Sequence, residues 1–209
     1  MLFDMYQRFG FGKATDLGLI GETKGMFPAN RKRWADIERA TFAYGYGLMT
    51  TPLQLARAYA TIGSGGIYRP LSITRIDPPV FGERVIDETI VRKVMTMMES
   101  VTLPNEGGHR AAVKGYRVAV KTGTVKKIGP NGGYINEYIA YTAGIAPASN
   151  PRFALVVIID APSAGRFYGG AVSAPVFGSV MSGVLRMMNV KPDGVNADTS
   201  SITIRKNEV

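Results

Sequence analysis

The residues best suited to chemistry lie at the end of an apolar run, in the tripeptide Lys121-Thr122-Gly123. Lys supplies a compact positive charge, and Thr supplies a hydroxyl that can donate a hydrogen bond to a carboxylate. Gly has no Cβ, so a ligand can approach the backbone closely there. Residues 116–124 have the pattern of a β-strand, which would deliver all three groups to one place. The segment predicts a site for an anionic substrate, although the tripeptide alone is expected in about one chain in twenty of this length.

The composition restricts the chemistry further. Among the 209 residues, 25 Lys and Arg against 16 Asp and Glu leave a net charge of +9, which favours anionic partners. Nucleic acids, acidic membranes and cell-wall polymers all remain open on charge alone, as does a solvated basic surface with no single partner. The absence of cysteine excludes disulfides, thiolate catalysis and Cys-based zinc sites. A self-contained Ser-His-Asp triad would have to use the single histidine, His109, which we interpret as a solvated loop residue.

Local signals indicate where the elements that must position this site begin and end. The first residues have the pattern of a helix that ends at Gly10, and residues 10–36 that of a long loop. Thr51-Pro52-Leu53-Gln54 has the sequence of a capping box, so a helix is predicted to follow Thr51. Asp87 is a second candidate N-cap, ahead of an apolar stripe that extends to Val101.

Three β runs follow, over residues 116–124, 138–146 and 152–160. Their short polar connections predict an antiparallel meander, because parallel strands need long crossovers. The third run is apolar at both alternating positions, so we expect it to be buried on both faces. A last helix is predicted over residues 173–188, with Pro175 at its first helical position, and is expected to cover the sheet.

Several blocks of sequence occur in an order that carries a family resemblance. They are Gly45-Tyr46-Gly47-Leu48-Met49, Thr51-Pro52-Leu53-Gln54-Leu55-Ala56, Lys121-Thr122-Gly123-Thr124, Tyr141-Thr142-Ala143-Gly144-Ile145-Ala146-Pro147 and Tyr168-Gly169-Gly170-Ala171-Val172-Ser173-Ala174-Pro175-Val176-Phe177. Up to about Asp193 the chain resembles the C-terminal part of the transpeptidase domain of class B penicillin-binding proteins, and the division-specific members above all.

The resemblance implies an α/β (α+β) fold of the penicillin-binding and serine β-lactamase-like class, in which helices cover an antiparallel sheet. Residues 1–190 would form the C-terminal portion of the transpeptidase domain. The polar residues 191–209 are expected to be a disordered tail.

The resemblance also implies acyl transfer through a serine acyl-enzyme, with peptidoglycan stem peptides as substrates and β-lactam antibiotics as mimics of the donor. Lys121 would help to hold the substrate carboxylate and would interact with the serine of a Ser-x-Asn element. The Thr122 and Thr124 hydroxyls would bind the carboxylate, and the Thr124 backbone N–H would be an oxyanion-hole donor. Further substrate contacts are implied for Gly123, Tyr138, Phe167, Tyr168, Gly169 and Gly170. Neither a metal nor a cofactor is implied.

One feature of strand geometry bears on these roles. Strict alternation along a strand would place Lys121 and Thr122 on opposite faces. A glycine kink at a strand edge could bring both side chains to one cleft, so both arrangements stay open.

The chain departs from the family pattern in what it lacks. Neither Ser-x-x-Lys nor Ser-x-Asn occurs in it, so the nucleophile is expected in the N-terminal half of the same domain. The chain alone is therefore predicted to be inactive. Val125 stands where the family usually carries Ala, beside the oxyanion strand.

The resemblance further implies a bacterial inner-membrane enzyme whose catalytic domain faces the periplasm and which meets membrane proteins of the division apparatus. An elongation transpeptidase or a D,D-carboxypeptidase of the same fold is the alternative within the enzyme class. A basic nucleic-acid-binding module is a remote alternative; we expect no nucleic acid partner, because the Lys and Arg residues are scattered and form no binding signature.

Overall fold

The computed structural model describes residues 2–28 and 33–194. The chain divides into two compact units, Met1–Glu88 and Thr89–Val209. The first contains helices α1 (Leu2–Arg8), α2 (Asp36–Phe42) and α3 (Pro52–Gly63) and the short strands β1 (Ile67–Tyr68) and β2 (Glu83–Arg84). There follow α4 (Glu88–Ser100), a 3₁₀ turn (His109–Ala111), β3 (Ala119–Ile128), β4 (Tyr134–Ala146), β5 (Phe153–Asp160) and α5 (Gly169–Met187).

Aromatic rings form much of the interior of the first unit. The ring of Tyr6 meets those of Phe11 and Phe42 edge-on, with centroids 5.7 and 5.1 Å apart. The helix predicted for the first residues is present as α1. The capping box predicted for α3 is confirmed, because Thr51 Oγ1 accepts from the Gln54 amide and Gln54 Oε1 accepts from the Thr51 amide.

The second unit is built on an antiparallel meander in the order β3-β4-β5, as predicted. β3 and β4 extend over residues 119–128 and 134–146, so the loop between them is shorter than the sequence indicated. α5 packs on one face of this sheet. In that contact Val120 lies in one cluster with Phe177, Met181 and Leu185, each at most 1% exposed. The covering helix is therefore confirmed, and the core lies between it and the sheet.

The predicted start of α5 is wrong. The helix begins at Gly169, and Pro175 lies inside it rather than at its first helical position. Glycine is a poor helix former and proline favours a first turn, so the local signals pointed to a later start. Tertiary contacts of Gly169 and Gly170, described below, outweigh those local preferences.

The prediction that β5 is buried on both faces is also wrong. Phe153, Leu155 and Val157 pack against the core cluster, but Ile158 on the other face is 40% exposed. A strand of this composition is fully buried only when both faces are covered. Here α5 covers one face of the strand only. The side chains at the even-numbered positions of β5, such as Ile158, point away from the helix.

The described chain continues beyond α5 along the surface of the second unit. Tyr116 Oη donates to the carbonyl of Val190 over 2.6 Å, and the Asp193 carboxylate accepts from the amides of Arg117 and Ser149. Residues 195–209 of the predicted tail lie outside the described residues, so its disorder stays a prediction. In the part of the chain that the structure describes, no helix has both the length and the apolar character needed to cross a membrane.

Candidate active site

A cleft of about 460 Å³ opens in the second unit between β3, the segment before the 3₁₀ turn, and the first turn of α5. Most of the residues predicted for the site line this cleft. These are Thr122, Gly123, Thr124, Tyr168, Gly169 and Gly170. The fold therefore brings together two blocks that are more than forty residues apart in the sequence.

Lys121 lies on the opposite face of β3 from Thr122. Its neighbour Val120 packs beneath α5, and Thr124 accepts a hydrogen bond from α5, so the even-numbered residues of β3 face the helix. Lys121 is exposed on the other face, where its ammonium donates to the Thr122 carbonyl over 2.5 Å. The alternation expected for a regular strand is thus present, and Lys121 does not line the cleft with Thr122.

Gly123 lacks a side chain for a packing reason that the sequence did not reveal. A Cβ at this position would stand 2.1 Å from the ring of Tyr141, its partner in the β3–β4 register. Such a distance is far inside van der Waals contact, so any larger residue would displace the ring. Ligand access, predicted from the sequence, is therefore not the only reason for glycine here.

Two further glycines allow the first turn of α5 to reach the cleft. A Cβ on Gly169 would lie 2.5 Å from the carbonyl oxygen of Gly123, and one on Gly170 would lie 1.9 Å from that of Gly107. Backbone atoms cannot rotate out of the way as a flexible side chain can. Either methyl group would therefore push α5 away from β3 or from the loop before the 3₁₀ turn.

The contact between α5 and β3 sets the direction of one hydroxyl. The Gly169 amide donates to Thr124 Oγ1 over 3.0 Å. Because an amide N–H can only donate, Thr124 accepts here, and its own proton remains for another acceptor. Thr124 lines the cleft, so its hydroxyl could donate that proton to an anion bound there.

Hydroxyls and a helix end make the cleft suited to a carboxylate. Gly169–Ala171 open the 19-residue helix α5, whose N-terminus carries a partial positive charge. Thr122 and Thr124 add hydroxyl donors beside it. Within residues 2–28 and 33–194, no three His, Asp or Glu side chains gather in a way that could hold a metal ion.

Three predicted aromatic residues form a stack beside the cleft. The rings of Tyr138 and Phe167 lie 4.1 Å apart at an angle of 14°, and those of Phe167 and Tyr168 lie 4.6 Å apart. Only Tyr168 of the three lines the cleft itself, and it is 64% exposed. The other two residues therefore support Tyr168 through ring contacts instead of forming the wall directly.

The opposite wall was missed by sequence reasoning. It consists of Glu106, Gly107, His109 and Arg110. His109 is exposed, as predicted, but it also lines the cleft, and its Nδ1 lies 2.8 Å from the Glu106 carbonyl oxygen. The Gly107-Gly108 pair does signal a close approach, but nothing in the sequence says which element approaches.

The family model described as the penicillin-binding protein transpeptidase domain matches residues 1–182. The chain belongs to this family. Among transpeptidases of the family, it is 67% identical over 208 residues to the peptidoglycan D,D-transpeptidase FtsI of Escherichia coli K12. It is 41% identical over 192 residues to the probable peptidoglycan D,D-transpeptidase PenA of Neisseria gonorrhoeae. These alignments cover 99% and 91% of the chain but only 35% and 33% of the two relatives.

A solved transpeptidase domain has the same fold. The apo structure of the domain from penicillin-binding protein 3 of Burkholderia pseudomallei superposes with a TM-score of 0.84 at 40% identity. The match covers 91% of this chain and 58% of that one. The predicted family and its mixed α/β architecture with an antiparallel sheet are thus confirmed. The chain spans about a third of the length of the Escherichia coli and Neisseria gonorrhoeae relatives.

Proposed function

We propose that this chain supplies the carboxylate-binding side of the active site of a peptidoglycan D,D-transpeptidase that β-lactam antibiotics inhibit. The observation that carries the proposal is the cleft in which Thr122 and Thr124 on β3 meet the first turn of α5. Membership of the transpeptidase family supports it, as does the activity named for the relatives from Escherichia coli and Neisseria gonorrhoeae.

Each side of β3 has its own role in this proposal. The hydroxyls of Thr122 and Thr124 bind the terminal carboxylate of the stem peptide, and the Thr124 backbone N–H donates to the oxyanion. A strand holds such donors in place without reorganisation, and loss of one oxyanion donor typically costs about 10²- to 10³-fold in rate. Lys121 lies on the other face, so we assign it chiefly to the serine of a Ser-x-Asn element.

The remaining predicted residues shape the space around the substrate. Gly123, Gly169 and Gly170 permit the close approach of β3 and α5. Tyr138, Phe167 and Tyr168 form an aromatic support at one end of the cleft, against which apolar parts of a substrate or a β-lactam side chain can pack.

We assign the nucleophile to a segment other than these 209 residues, because they contain no Ser-x-x-Lys. The serine hydroxyl attacks the carbonyl of the penultimate D-Ala, and terminal D-Ala leaves. The amine of a second stem peptide then displaces the serine from the acyl-enzyme. In both steps this chain stabilises the negative charge that develops on the carbonyl oxygen.

A septal role is the best-supported assignment among the transpeptidases. The block Tyr168–Phe177 and the 67% identity to the Escherichia coli protein favour the division-specific branch over an elongation enzyme. The transpeptidase activity named for the relatives favours cross-linking over a D,D-carboxypeptidase. The enzyme would then lie at the bacterial inner membrane, face the periplasm and work with membrane proteins of the division apparatus.

Fluorescent penicillin tests the proposal when it is applied to this chain with and without the upstream half of the domain. We expect label on the upstream half only, and only when this chain is present. Mass mapping of the adduct locates the labelled residue. Label on this chain by itself would contradict the assignment of the nucleophile, and no label in either case would contradict the transpeptidase function.

Two lysine variants sharpen the test. Lys121→Ala is expected to slow acylation at least about tenfold, because a charged hydrogen-bonding partner of the site is lost. Lys114→Ala, which removes an exposed lysine of the same unit away from the cleft, is the matched control and should leave the rate unchanged. Salt-sensitive DNA binding that penicillin does not alter would instead favour the nucleic-acid alternative.

A further inference from the structure

Buried hydroxyl groups link the middle of the sheet to the cleft. Thr142 Oγ1 on β4 and Ser173 Oγ on α5 lie 2.8 Å apart, and both residues are fully buried. Ser173 Oγ also donates to the Gly169 carbonyl over 2.9 Å. The Gly169 amide donates in turn to Thr124 Oγ1. The hydrogen bonds of four residues therefore connect β4, α5 and β3, and they meet at Gly169.

The direction of each hydrogen bond follows from what its partners can accept. A carbonyl oxygen can only accept, so the proton of Ser173 is committed to Gly169. Thr142 must then donate its own proton to Ser173. At the other end the Gly169 amide can only donate, so the Thr124 hydroxyl accepts from it and turns its proton elsewhere. Without Ser173, the buried Thr142 hydroxyl loses the acceptor of its proton. Without Thr142, the Ser173 hydroxyl keeps its bond to Gly169 but loses the one that it accepts.

Gly169 has little freedom to move as long as this pair holds. It is buried against the backbone of β3 and β4, with the carbonyls of Gly123 and Tyr141 within 3 Å of where its Cβ would stand. Loss of Ser173 removes the bond to the Gly169 carbonyl directly, and loss of Thr142 removes the bond that holds the Ser173 hydroxyl in its orientation toward that carbonyl. The first turn of α5 would shift with it.

We infer that Thr142 and Ser173 are positioning residues, which fix Gly169 so that Thr124 presents its hydroxyl proton to the substrate carboxylate. This inference rests on the proposed function. Neither side chain lines the cleft, so both act through Gly169. Their effect is confined to recognition of the carboxylate and does not extend to attack on the carbonyl carbon.

The test compares benzylpenicillin with its methyl ester, which lacks the anionic carboxylate. Second-order acylation rates are measured on this chain completed by the upstream half of the domain. In Thr142→Val and in Ser173→Ala, the rate with the acid is expected to fall about tenfold, because a hydrogen bond to a charged group is weakened. The rate with the ester is expected to change less than about twofold, because the ester has no charged carboxylate to accept the hydrogen bond from Thr124.

Conservative and control variants separate positioning from general damage. Thr142→Ser keeps the hydroxyl and is expected to retain the wild-type ratio of the two rates. Thr102→Val removes a hydroxyl elsewhere in the unit, bonded to the carbonyls of Glu99 and Val118, and should also leave the ratio unchanged. An equal loss with acid and ester in Thr142→Val would mean that the residue is merely structural, and would overturn the inference.

A double-mutant cycle with Thr124→Val tests the route. If Thr142 acts through Thr124, then Thr142→Val has no further effect on the ratio once the Thr124 hydroxyl is gone. Additive effects of the two substitutions would contradict that route.

Hydrogen exchange at the Gly169 amide decides the inference independently of acylation. If the completed wild-type protein reacts with neither compound, the proposed function fails, but this measurement still applies. The amide is expected to exchange at least about tenfold faster in Thr142→Val and Ser173→Ala than in the wild type or Thr142→Ser, because its bond to Thr124 is released. Equal exchange rates in all four proteins would overturn the positioning role.

Discussion

At the scale of single residues, the cleft depends on side chains that are absent. Gly169 and Gly170 lie so close to backbone carbonyls that a single methyl group at either position would overlap them. Among the described residues, no heavy atom outside the same helix lies within 4 Å of where a Cβ on Gly183 would stand. An added methyl group is therefore excluded at Gly169 and Gly170 but has room at Gly183, more than three helical turns further along α5.

This contrast gives a matched pair of substitutions in α5. Gly170→Ala is expected to lower the free energy of unfolding by about 1–3 kcal/mol, because α5 must move from the loop that contains Gly107. Gly183→Ala should raise it by about 0.5–1 kcal/mol, because alanine restricts the unfolded chain and fits the helix. Urea unfolding of the completed domain measures both, and shifts of the same sign would contradict the close contact.

At the scale of elements, one lysine ties the three strands together near the end of the sheet away from the core cluster. Lys127 on β3 lies 3.0 Å from a carboxylate oxygen of Asp160 on β5 and 3.2 Å from one of Glu137 on β4. Hydrogen bonds that the Lys127 ammonium donates, above all to Asp160 and next to Glu137, raise the pKa of Lys127 above its ordinary value. The charged form is therefore favoured in the folded state.

The raised pKa of Lys127 predicts how its contribution depends on pH. A group whose pKa is higher in the folded state stabilises fully below its unfolded pKa, and loses this effect as pH rises through the folded pKa. The difference in unfolding midpoint between wild type and Lys127→Met should thus be constant near neutral pH and disappear in strongly alkaline solution. It should also shrink with added salt. Lys114→Met, at an exposed lysine of the same unit, is the control for removal of a surface positive charge.

The start of α3 allows a second test at this scale. Thr51→Ala removes the side-chain oxygen that caps the Gln54 amide, and is expected to lower the free energy of unfolding by about 1 kcal/mol. Thr96→Ala in the middle of α4 removes an exposed hydroxyl that donates to the Arg92 carbonyl of the same helix. Chemical denaturation should find this control unchanged or slightly more stable, since alanine is the better helix former.

At the scale of the whole chain, β5 leaves one edge of the sheet open among the described strands. It pairs with β4 along one side, and its sequence is almost entirely apolar. Such an edge is a template for pairing with another chain. The resemblance to the family predicts that strands of the upstream half occupy it in the intact domain.

We therefore expect the chain expressed alone to aggregate or to remain partly unfolded, and the completed domain to be monodisperse. Ile158→Lys places a charge on the exposed face of β5 and should slow aggregation of the isolated chain. Ile90→Lys changes an isoleucine on α4 that is 49% exposed, against 40% for Ile158, and should not slow aggregation. Light scattering and thermal melting report both, and a monodisperse, cooperatively melting isolated chain would contradict the prediction.

The sequence by itself determined the features that depend on near neighbours. The capping box before α3, the three runs of the meander and the Lys121-Thr122-Gly123 strand all follow from signals a few residues long. The family resemblance added the residues of the site, and the cleft does bring the β3 and Gly169-Gly170 blocks together. For Lys121 and Thr122 the sequence left two arrangements open, opposite faces of a regular strand or one cleft at a glycine kink.

Only the tertiary structure decided what depends on distant contacts. The helix α5 begins at Gly169 because its glycines fit against β3 and Gly107, although local propensity favoured a later start. The wall at residues 106–110 and the link from Thr142 to Thr124 join segments that no local pattern relates. The burial of β5 depends on which faces are covered, and that is a property of packing, which a strand cannot encode alone.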